Sequence, residues 1–388
     1  MEKVKIGNYV KQIRGVSYKP NDLHNDLNSD SVILLRANNI NEGKINFDDI
    51  VYVDKSKVKK EQYLKKGDIL VCASSGSKEL VGKAAFINKD YAVTFGAFCK
   101  LIRPKDCIAG YLGHYFNSQM YKEKISSLAL GANINNIRNE HIDELLIYLP
   151  NKAEQQNISI LLDEVSDLTD KRKKQLEKLD RLVKSRFVEM FGDTILNPFG
   201  WEKDSLGTVC DVRDGTHDSP KYYETGYPLV TSKNVTGGRI DLTGCSLICE
   251  VDFNKINERS KVDIGDIIMP MIGTVGKPVI VKIEPNFAIK NVALIKFKNN
   301  SKVLNVYVQT LLQSDYFDDA ILSNVRGGTQ KFISLGDIRK LEVIVPPLEL
   351  QEQFAAFVEQ VDKSKFEIKQ SLEKLELLKK ALMQKYFR

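Results

Sequence analysis

The side chains of this 388-residue chain that are suited to chemistry are concentrated in glycine-containing loops. Residues 214–221 (DGTHDSPK) combine a glycine with hydroxyl, imidazole and ammonium groups. Glycine lets backbone N–H groups approach a phosphate closely. Lys, Arg, Asn and Gln side chains contact phosphates and the edges of bases. These residue types predict contacts with nucleic acid, although each loop taken alone is also typical of an ordinary turn.

Candidate contact residues of this kind occur in both halves of the chain. In the first half they are Arg36, Asn38, Asn39, Lys44, Ser75, Lys78, Asn133, Asn135 and Arg138. In the second half they are Thr216, His217, Lys221, Ser232, Lys233, Asn234, Arg239, Thr274, Lys277, Arg326, Thr329, Gln330 and Lys331. Which of them contact bases depends on loop conformation and on DNA shape as well as on side-chain identity.

No catalytic motif accompanies these loops. Neither residues 76–83 nor residues 273–277 have the spacing of a nucleotide-binding P-loop, and both lack its hydroxyl residue. Residues 197–200 (NPFG) share only part of the Asn-Pro-Pro-aromatic motif of adenine methyltransferases, and no glycine-rich S-adenosylmethionine loop follows a strand. There is no G-x-S-x-G or H-E-x-x-H motif. We therefore expect no catalytic residues in this chain.

Six cysteines and four histidines are too scattered to predict a metal site. No two cysteines form a C-x-x-C pair, which is typical of free thiols in a reduced compartment. The first residues lack an apolar signal region, and no run of about 18 apolar residues predicts a membrane span. We expect a cytoplasmic protein without a metal or another cofactor.

The sequence contains an internal repeat. Residues 131–150 align with residues 327–346 at an offset of 196 without a gap, and the same offset continues beyond them. Residues 34–45 also resemble residues 229–240. Short β-branched runs and helical segments in each copy predict two α+β units of about 150 residues, each large enough for one core. Chance similarity is the alternative, which gapless pairing over this length disfavours.

Two long segments without proline or glycine predict extended helices, from Glu154 to about Met190 and from Glu349 to about Phe387. Each would be about 55 Å long. Heptad spacing places apolar residues at Ile158, Leu161, Val165, Leu168, Leu179 and Leu182, and at Phe354, Val361, Ile368, Leu375 and Leu382. Because neither stripe is stable in water, we expect an antiparallel coiled coil related by a pseudo-two-fold axis. Packing of each helix on its own unit is the alternative.

The net charge of +6 is unevenly distributed. Residues 1–150 contain 22 basic and 17 acidic residues, a net charge of +5, whereas residues 200–346 contain 18 of each. Residues 171–174 (KRKK) suggest a nucleic-acid contact, but interleaved acidic residues favour a solvated helix face instead.

Together these features resemble the specificity subunit of type I restriction-modification systems, over essentially the whole chain. The resemblance rests on the duplicated layout and on residues 214–222 (DGTH…P-x-Y), 273–277 (GTVGK), 327–330 (GGTQ) and 346–353 (PPLELQEQ). The first copy departs from the pattern, since Asn133 and Ile134 replace Thr-Gln and residues 151–153 replace Pro-Leu-Glu. Such divergence is expected of domains that recognise different sequences.

The resemblance implies target recognition domains at residues 1–150 and 193–346, separated by coiled-coil helices at residues 151–192 and 347–388. Each domain would recognise one half of a bipartite site in double-stranded DNA, and the helices would set the unread spacer. The implied partners are two modification (methyltransferase) subunits and restriction/translocase subunits. S-adenosylmethionine, ATP and Mg are expected only in those partners, so this subunit would be non-catalytic.

Two other interpretations remain open at this point. The chain could be a scaffold that does not bind DNA and gathers protein partners on two binding modules joined by a coiled coil. It could also be a stand-alone methyltransferase or nuclease, against which the missing S-adenosylmethionine loop argues.

Overall fold

The computed structural model describes residues 3–77, 79–128, 135–271, 278–298, 300–314, 316–317 and 333–387. The chain divides into two compact units. Unit 1 combines residues 1–173 with residues 369–388, and unit 2 contains residues 174–368. Each unit therefore includes part of both long helices as well as a globular part.

The globular part of unit 1 is built from short strands and three short helices. The strands are β1 (Lys3–Lys5), β2 (Val10–Arg14), β3 (Leu23–His24), β4 (Ser31–Leu35), β5 (Ile40–Asn41), β6 (Lys44–Ile45), β7 (Val51–Asp54), β8 (Ile69–Cys72), β9 (Ser74–Ser75), β10 (Ala84–Phe86), β11 (Thr94–Phe95), β12 (Cys99–Pro104), β13 (Asn135–Asn136) and β14 (Leu146–Tyr148). The helices are α1 (Ala109–Tyr115), α2 (Gln119–Leu128) and α3 (Asn139–Asp143), after which the long helix α4 (Lys152–Phe191) begins.

Unit 2 has a similar succession of elements. Its strands are β15 (Glu202–Ser205), β16 (Asp211–Asp214), β17 (Tyr227–Val230), β18 (Val235–Thr236), β19 (Arg239–Ile240), β20 (Ser246–Ile248), β21 (Ile267–Pro270), β22 (Val279–Ile280), β23 (Ala288–Ile289), β24 (Val292–Lys296) and β25 (Glu342–Val345). Its helices are α5 (Leu206–Val209), α6 (Glu250–Ser260), α7 (Asn305–Leu311) and α8 (Leu335–Lys340), followed by the long helix α9 (Leu348–Tyr386).

The two units share their sheet topology. Unit 1 has an antiparallel sheet of order β10-β8-β12-β2, and unit 2 has the corresponding order β22-β21-β24-β16. A second sheet contains one parallel pair, β4 with β11 in unit 1 and β17 with β23 in unit 2. The central strands β8 and β21 are buried along their whole length, which explains their continuous apolar sequences. The repeated sequence thus corresponds to a repeated α+β fold.

The buried stripe of helix α4 agrees with the predicted one at two positions and is shifted by one residue at the positions that alternate with them. Ile158 and Val165 are buried as expected, but the residues between and after them that face inward are Leu162 and Thr169. Leu168 and Leu182 of the predicted stripe are 46% and 47% exposed. The sequence was ambiguous here because adjacent leucines at 161 and 162 fit either heptad register. In α9 every predicted stripe residue is buried or half-buried.

Aromatic side chains join both long helices to the core of each unit. In unit 2, the ring of Phe354 from α9 lies 5.4 Å from the ring of Phe191 from α4, and Tyr307 of α7 lies 4.9 Å from Phe191. In unit 1, Phe387 after α9 lies 5.1 Å from Tyr111 of α1, in a cluster that includes Ile158 of α4. Both long helices therefore contribute to the core of each unit and also contact each other, which agrees with the predicted helical pair and not with packing of each helix on its own unit alone.

The two helices also run antiparallel within each unit. In unit 2, Arg186 lies over the ring of Phe357, and Asp180 forms an ion pair with Lys365 at 2.7 Å. Contacting residues therefore have decreasing residue numbers in α4 and increasing residue numbers in α9, as antiparallel helices do. In unit 1, the start of α4 and the end of α9 contribute to the same core. Among the described residues, no helix is both long and apolar enough to cross a membrane.

We predict that Phe354→Ala destabilises unit 2 by about 3–5 kcal/mol, because a fully buried aromatic ring is lost. The single tryptophan, Trp201, bonds to the carbonyl of Phe191 and reports on this core. Urea unfolding followed by Trp201 fluorescence measures the effect. Phe366→Ala is the matched control, since Phe366 is 62% exposed on the same helix and its loss is expected to change stability by under about 0.5 kcal/mol. Equal effects of the two substitutions would contradict this packing.

Candidate nucleic-acid interface

In unit 1, the connections at one end of the two sheets form a continuous surface. We call residues 15–18, 36–39, 73–77, 96–98 and 135–138 the unit 1 loop face. Backbone hydrogen bonds join these segments: Val16 N to Phe95 O (2.8 Å), Gly96 N to Leu35 O (2.9 Å), Ser74 N to Phe98 O (3.0 Å) and Ile137 N to Ala73 O (2.7 Å). Most of the first-half residues predicted from sequence therefore come together from distant parts of the chain.

The same arrangement recurs in unit 2. We call residues 214–219, 231–234 and 290–291, together with Met271 and Ile333, the unit 2 loop face. The bonds that join them correspond to those of unit 1: Thr216 N to Ile289 O (3.0 Å), Lys290 N to Val230 O (2.9 Å) and Ile333 N to Met271 O (3.0 Å). One scaffold thus presents equivalent segments in both units.

Glycine is required where the strand-end segments cross. A Cβ atom added at Gly15 would lie 2.1 Å from the carbonyl oxygen of Gly96, and one added at Gly215 would lie 2.5 Å from that of Ile289. Real Cβ contacts are never this short, so any other residue would push the backbones apart. Gly215 of the DGTH segment is therefore required by the fold, whether or not it contacts a ligand.

Polar side chains of the unit 2 loop face form a network around His217. Its ring nitrogens lie 2.8 Å from the Asp214 carboxylate and 2.9 Å from the Asn291 side-chain oxygen. Arg259 of α6 also pairs with Asp214. The Asp214 side chain is 11% exposed, whereas those of His217 and Arg259 are 62% and 68% exposed. The buried carboxylate thus holds an imidazole and a guanidinium at the surface.

A cavity of about 260 Å³ lies beside this network, between the 215–220 segment and helix α6. Its lining includes Ser219, Lys255 and Arg259. Lys290 donates a hydrogen bond to Ser219 at 2.6 Å, and the carboxylates of Asp218 and Asp252 also line the cavity. The opening therefore presents hydrogen-bond donors and acceptors together, as the edges of bases do.

Lys100 places positive charge beneath the unit 1 loop face. Its ammonium group is largely buried and donates to the Asn139 side chain at 2.7 Å and to the carbonyl of Ile137 at 3.3 Å. Burial lowers the pKa of Lys100 to about 8, opposed by the nearby Asp143 and Glu140. At neutral pH it remains mainly protonated. Among the described residues, no group of three or more His, Cys, Asp and Glu side chains is placed to hold a metal ion.

Several first-half candidates have partners within the protein. Asn39 is fully buried: its oxygen accepts from the backbone of Arg36 at 2.8 Å and its amide donates to Asp48 O at 2.7 Å. The structure corrects this prediction, because Asn39 fixes a turn and has no surface to offer. Lys44 pairs with Asp170 of α4, and its side chain remains 67% exposed.

The remaining first-half candidates lie on the unit 1 loop face or outside the described residues. Arg36 and Asn38 both donate to the Asp49 carboxylate, at 2.9 and 3.0 Å. Ser75 accepts from the backbone of Ser77 and pairs through its backbone with Asn135. Arg138 is exposed before α3. Lys78 and Asn133 lie outside the described residues.

In the second half, Thr216, His217 and Ser232 are brought together. The Ser232 hydroxyl is 3.5 Å from the carbonyl of Asn291, and Thr216 accepts from the backbone of Asp218. Asn234 holds a turn equivalent to that of Asn39, through Thr231 N at 3.0 Å. Lys221 lies over the ring of Tyr223, and Lys233 and Arg239 are exposed. Outside the described residues are Thr274, Lys277, Arg326, Thr329, Gln330 and Lys331.

Sequence reasoning missed Phe98, Lys290 and Asn291 of these faces, and also Arg259, which pairs with Asp214 of the unit 2 loop face. Arg259 is remote in sequence, on a helix without a distinctive motif. Asn291 adopts a left-handed backbone with φ +54°, which Asn tolerates better than most residues, so the Lys-Asn pair after a short apolar run was the available signal.

We predict that Asp214→Asn lowers the stability of unit 2 by about 1–2 kcal/mol, because the buried group loses its charge-assisted bonds to two partly exposed partners. Asp218→Asn, on the exposed part of the same loop, is expected to change stability by under about 0.5 kcal/mol. Thermal unfolding followed by Trp201 fluorescence distinguishes them. A fully stable Asp214→Asn variant would show that the network does not hold the loop.

Comparison with known proteins gives consistent matches along the chain. The family model of the type I restriction modification DNA specificity domain matches twice, at residues 1–180 and 198–379. The chain is 29% identical to the type I restriction enzyme EcoKI specificity subunit of Escherichia coli strain K12, over 97% of this chain and 86% of that protein. It is 42% identical to the StySPI specificity subunit of Salmonella potsdam, over 44% of this chain and 37% of that protein.

Two solved structures share the fold. The S subunit of a type I restriction-modification system from M. genitalium matches with a TM-score of 0.59 and 17% identity, over 100% of this chain and 96% of that one. A chain from a structural study of assembly and conformational transition of the type I R-M system matches with a TM-score of 0.55 and 17% identity, over 100% and 97%. At this identity the likeness concerns the fold alone.

Proposed function

The chain belongs to the type I restriction modification DNA specificity family, and from this premise we propose that each unit recognises one half of a bipartite DNA site through its loop face. The chain is then a non-catalytic specificity subunit with two target recognition domains. The observation that carries the proposal is the repetition of one loop scaffold with different side chains. A repeated scaffold provides two similar readers, and different side chains let them recognise different half-sites.

The electrostatics of the units support a DNA ligand. Residues 1–150 carry a net charge of +5, and one of their basic groups, the ammonium of Lys100, lies directly beneath the unit 1 loop face. The second recognition domain is neutral overall, but His217, Arg259 and Lys290 concentrate donors at its loop face. Phosphate contacts supply the sequence-independent part of binding, and contacts to base edges supply discrimination.

We propose that the recognition domains comprise residues 1–150 and 193–346, and that helices α4 and α9 determine the unread spacer. Helix α4 has 40 residues, a length of about 60 Å. This exceeds one DNA turn of about 34–36 Å, which is enough for the domains to contact separate grooves.

The proposed partners are double-stranded DNA, two modification subunits and restriction/translocase subunits. The modification subunits would supply S-adenosylmethionine and methylate adenine, and the restriction subunits would use ATP and Mg. The proposed location is the cytoplasm, where cellular DNA is accessible and the six free cysteines would stay reduced. A protein scaffold without a DNA ligand is the competing function, and it predicts no sequence-specific complex.

We predict that replacing residues 1–150 with the equivalent domain of a relative changes one half-site and leaves the other unchanged. The junction lies between β14 and the start of α4 at Lys152, so no element is cut. Sequencing of methylated adenines in host DNA, with the hybrid and its modification subunits present, measures the outcome. The reciprocal hybrid, with residues 193–346 replaced, is the control. If both half-sites remain unchanged in a folded hybrid, the units do not read half-sites.

We also predict that seven extra residues in both α4 and α9 lengthen the spacer by about three base pairs. Seven residues add about 10 Å of helix, and three base-pair steps span a similar distance. A seven-residue insertion preserves the heptad register, whereas a five-residue insertion rotates the stripe by about 140° and is the control expected to abolish methylation. An unchanged spacer in the seven-residue variant would refute the role of the helices.

A further inference from the structure

The two loop faces differ in chemistry at one shared connection. In each unit a short strand, β11 or β23, leads directly into the antiparallel sheet at β12 or β24. Unit 1 makes this connection with residues 96–98 (Gly-Ala-Phe), and unit 2 makes it with residues 290–291 (Lys-Asn). The equivalent backbone bonds, Gly96 N to Leu35 O and Lys290 N to Val230 O, are both 2.9 Å. The same position is thus apolar in one unit and polar in the other.

Phe98 is held at the tip of this connection. A turn closes around it with Cys99 N bonded to Gly96 O at 2.9 Å. Its own carbonyl accepts from Ala73 N at 2.9 Å and from Ser74 N at 3.0 Å. These bonds fix the backbone, while the side chain remains 69% exposed. The ring is therefore presented to solvent from a hydrogen-bonded turn.

An exposed phenyl ring can make only a few kinds of favourable contact with DNA. It forms no conventional hydrogen bonds, so it contributes nothing to phosphate binding. Its favourable contacts with DNA are the methyl group of thymine or the face of an unstacked base. Both are apolar contacts with a base. A thymine methyl identifies the base directly, whereas contact with an unstacked base depends on how readily the sequence lets that base step open.

We propose that Phe98 is a specificity-determining residue of unit 1, making an apolar contact with one base of its half-site. This inference rests on the proposed function and adds the chemistry of one contact. The polar counterpart in unit 2 is Asn291, which the imidazole of His217 contacts at 2.9 Å. The two half-sites are then discriminated by different chemistry at one shared position of the fold.

The test uses the full chain assembled with its modification subunits, on duplexes that contain the site mapped by methylation. Phe98→Ala is expected to weaken binding about 5- to 100-fold, the range of one good base contact, and to relax selectivity at one position of the unit 1 half-site. Phe98→Leu should retain most of the affinity because it remains apolar. Leu27→Ala is the matched control: Leu27 is 58% exposed but precedes the opposite end of β4, and its loss should leave binding unchanged.

Two further experiments distinguish contact with a thymine methyl group from contact with an unstacked base. For a methyl contact, deoxyuridine in place of one thymine weakens wild-type binding and leaves Phe98→Ala binding unaffected. For contact with an unstacked base, 2-aminopurine at that position becomes more fluorescent with the wild type than with Phe98→Ala.

Three results separate failure of this inference from failure of the proposed function. Wild-type affinity and selectivity in Phe98→Ala would overturn the inference alone. Loss of assembly with the modification subunits, with DNA selectivity intact, would identify Phe98 as a protein contact and also overturn it. If the wild-type assembly binds no duplex sequence-specifically, the proposed function itself fails.

Discussion

Burial of the ends of the long helices in each unit is the constraint on which the rest of the structure depends. Unit 2 closes its core with Phe187 and Phe191 from α4 and with Phe354 from α9. Unit 1 uses Ile158 and Leu162 from α4, and Phe387 beyond the end of α9. These core side chains come from the long helices and not from the globular part that they pack on. In each unit, the globular part and the two long helices therefore share one hydrophobic core.

This arrangement explains why the loop faces can differ while the fold repeats. The core and the helix contacts determine the sheet order, and the sheet order determines which connections meet at one end. Close backbone crossings at Gly15 and Gly215 add a steric requirement that is the same in both units. Exposed side chains beyond these crossings, such as Phe98, lie outside the core and can vary with the ligand.

Much of this architecture could be predicted from the sequence, and the errors have identifiable physical causes. The repeat and both helices were visible because they are periodic over long segments. The buried stripe of α4 was misplaced at Leu168 because heptad spacing does not choose between adjacent apolar residues. Among the binding candidates, Asn39 was misassigned because an amide that caps a turn looks like one that binds a ligand. Phe98 was missed because its importance comes from an equivalence with Asn291 that only the topology reveals.

The discontinuity of unit 1 also has a consequence for synthesis of the protein. Unit 2 is one continuous segment, residues 174–368, whereas unit 1 needs residues 369–388 to complete it. Tyr111 and Tyr115 emerge from the ribosome early, but Phe387, which packs against both of them, is translated only after the whole of unit 2. Domains usually fold in the order in which they are made. Here the unit that is begun first can be completed only after unit 2 has been synthesised, because its aromatic core includes Phe387.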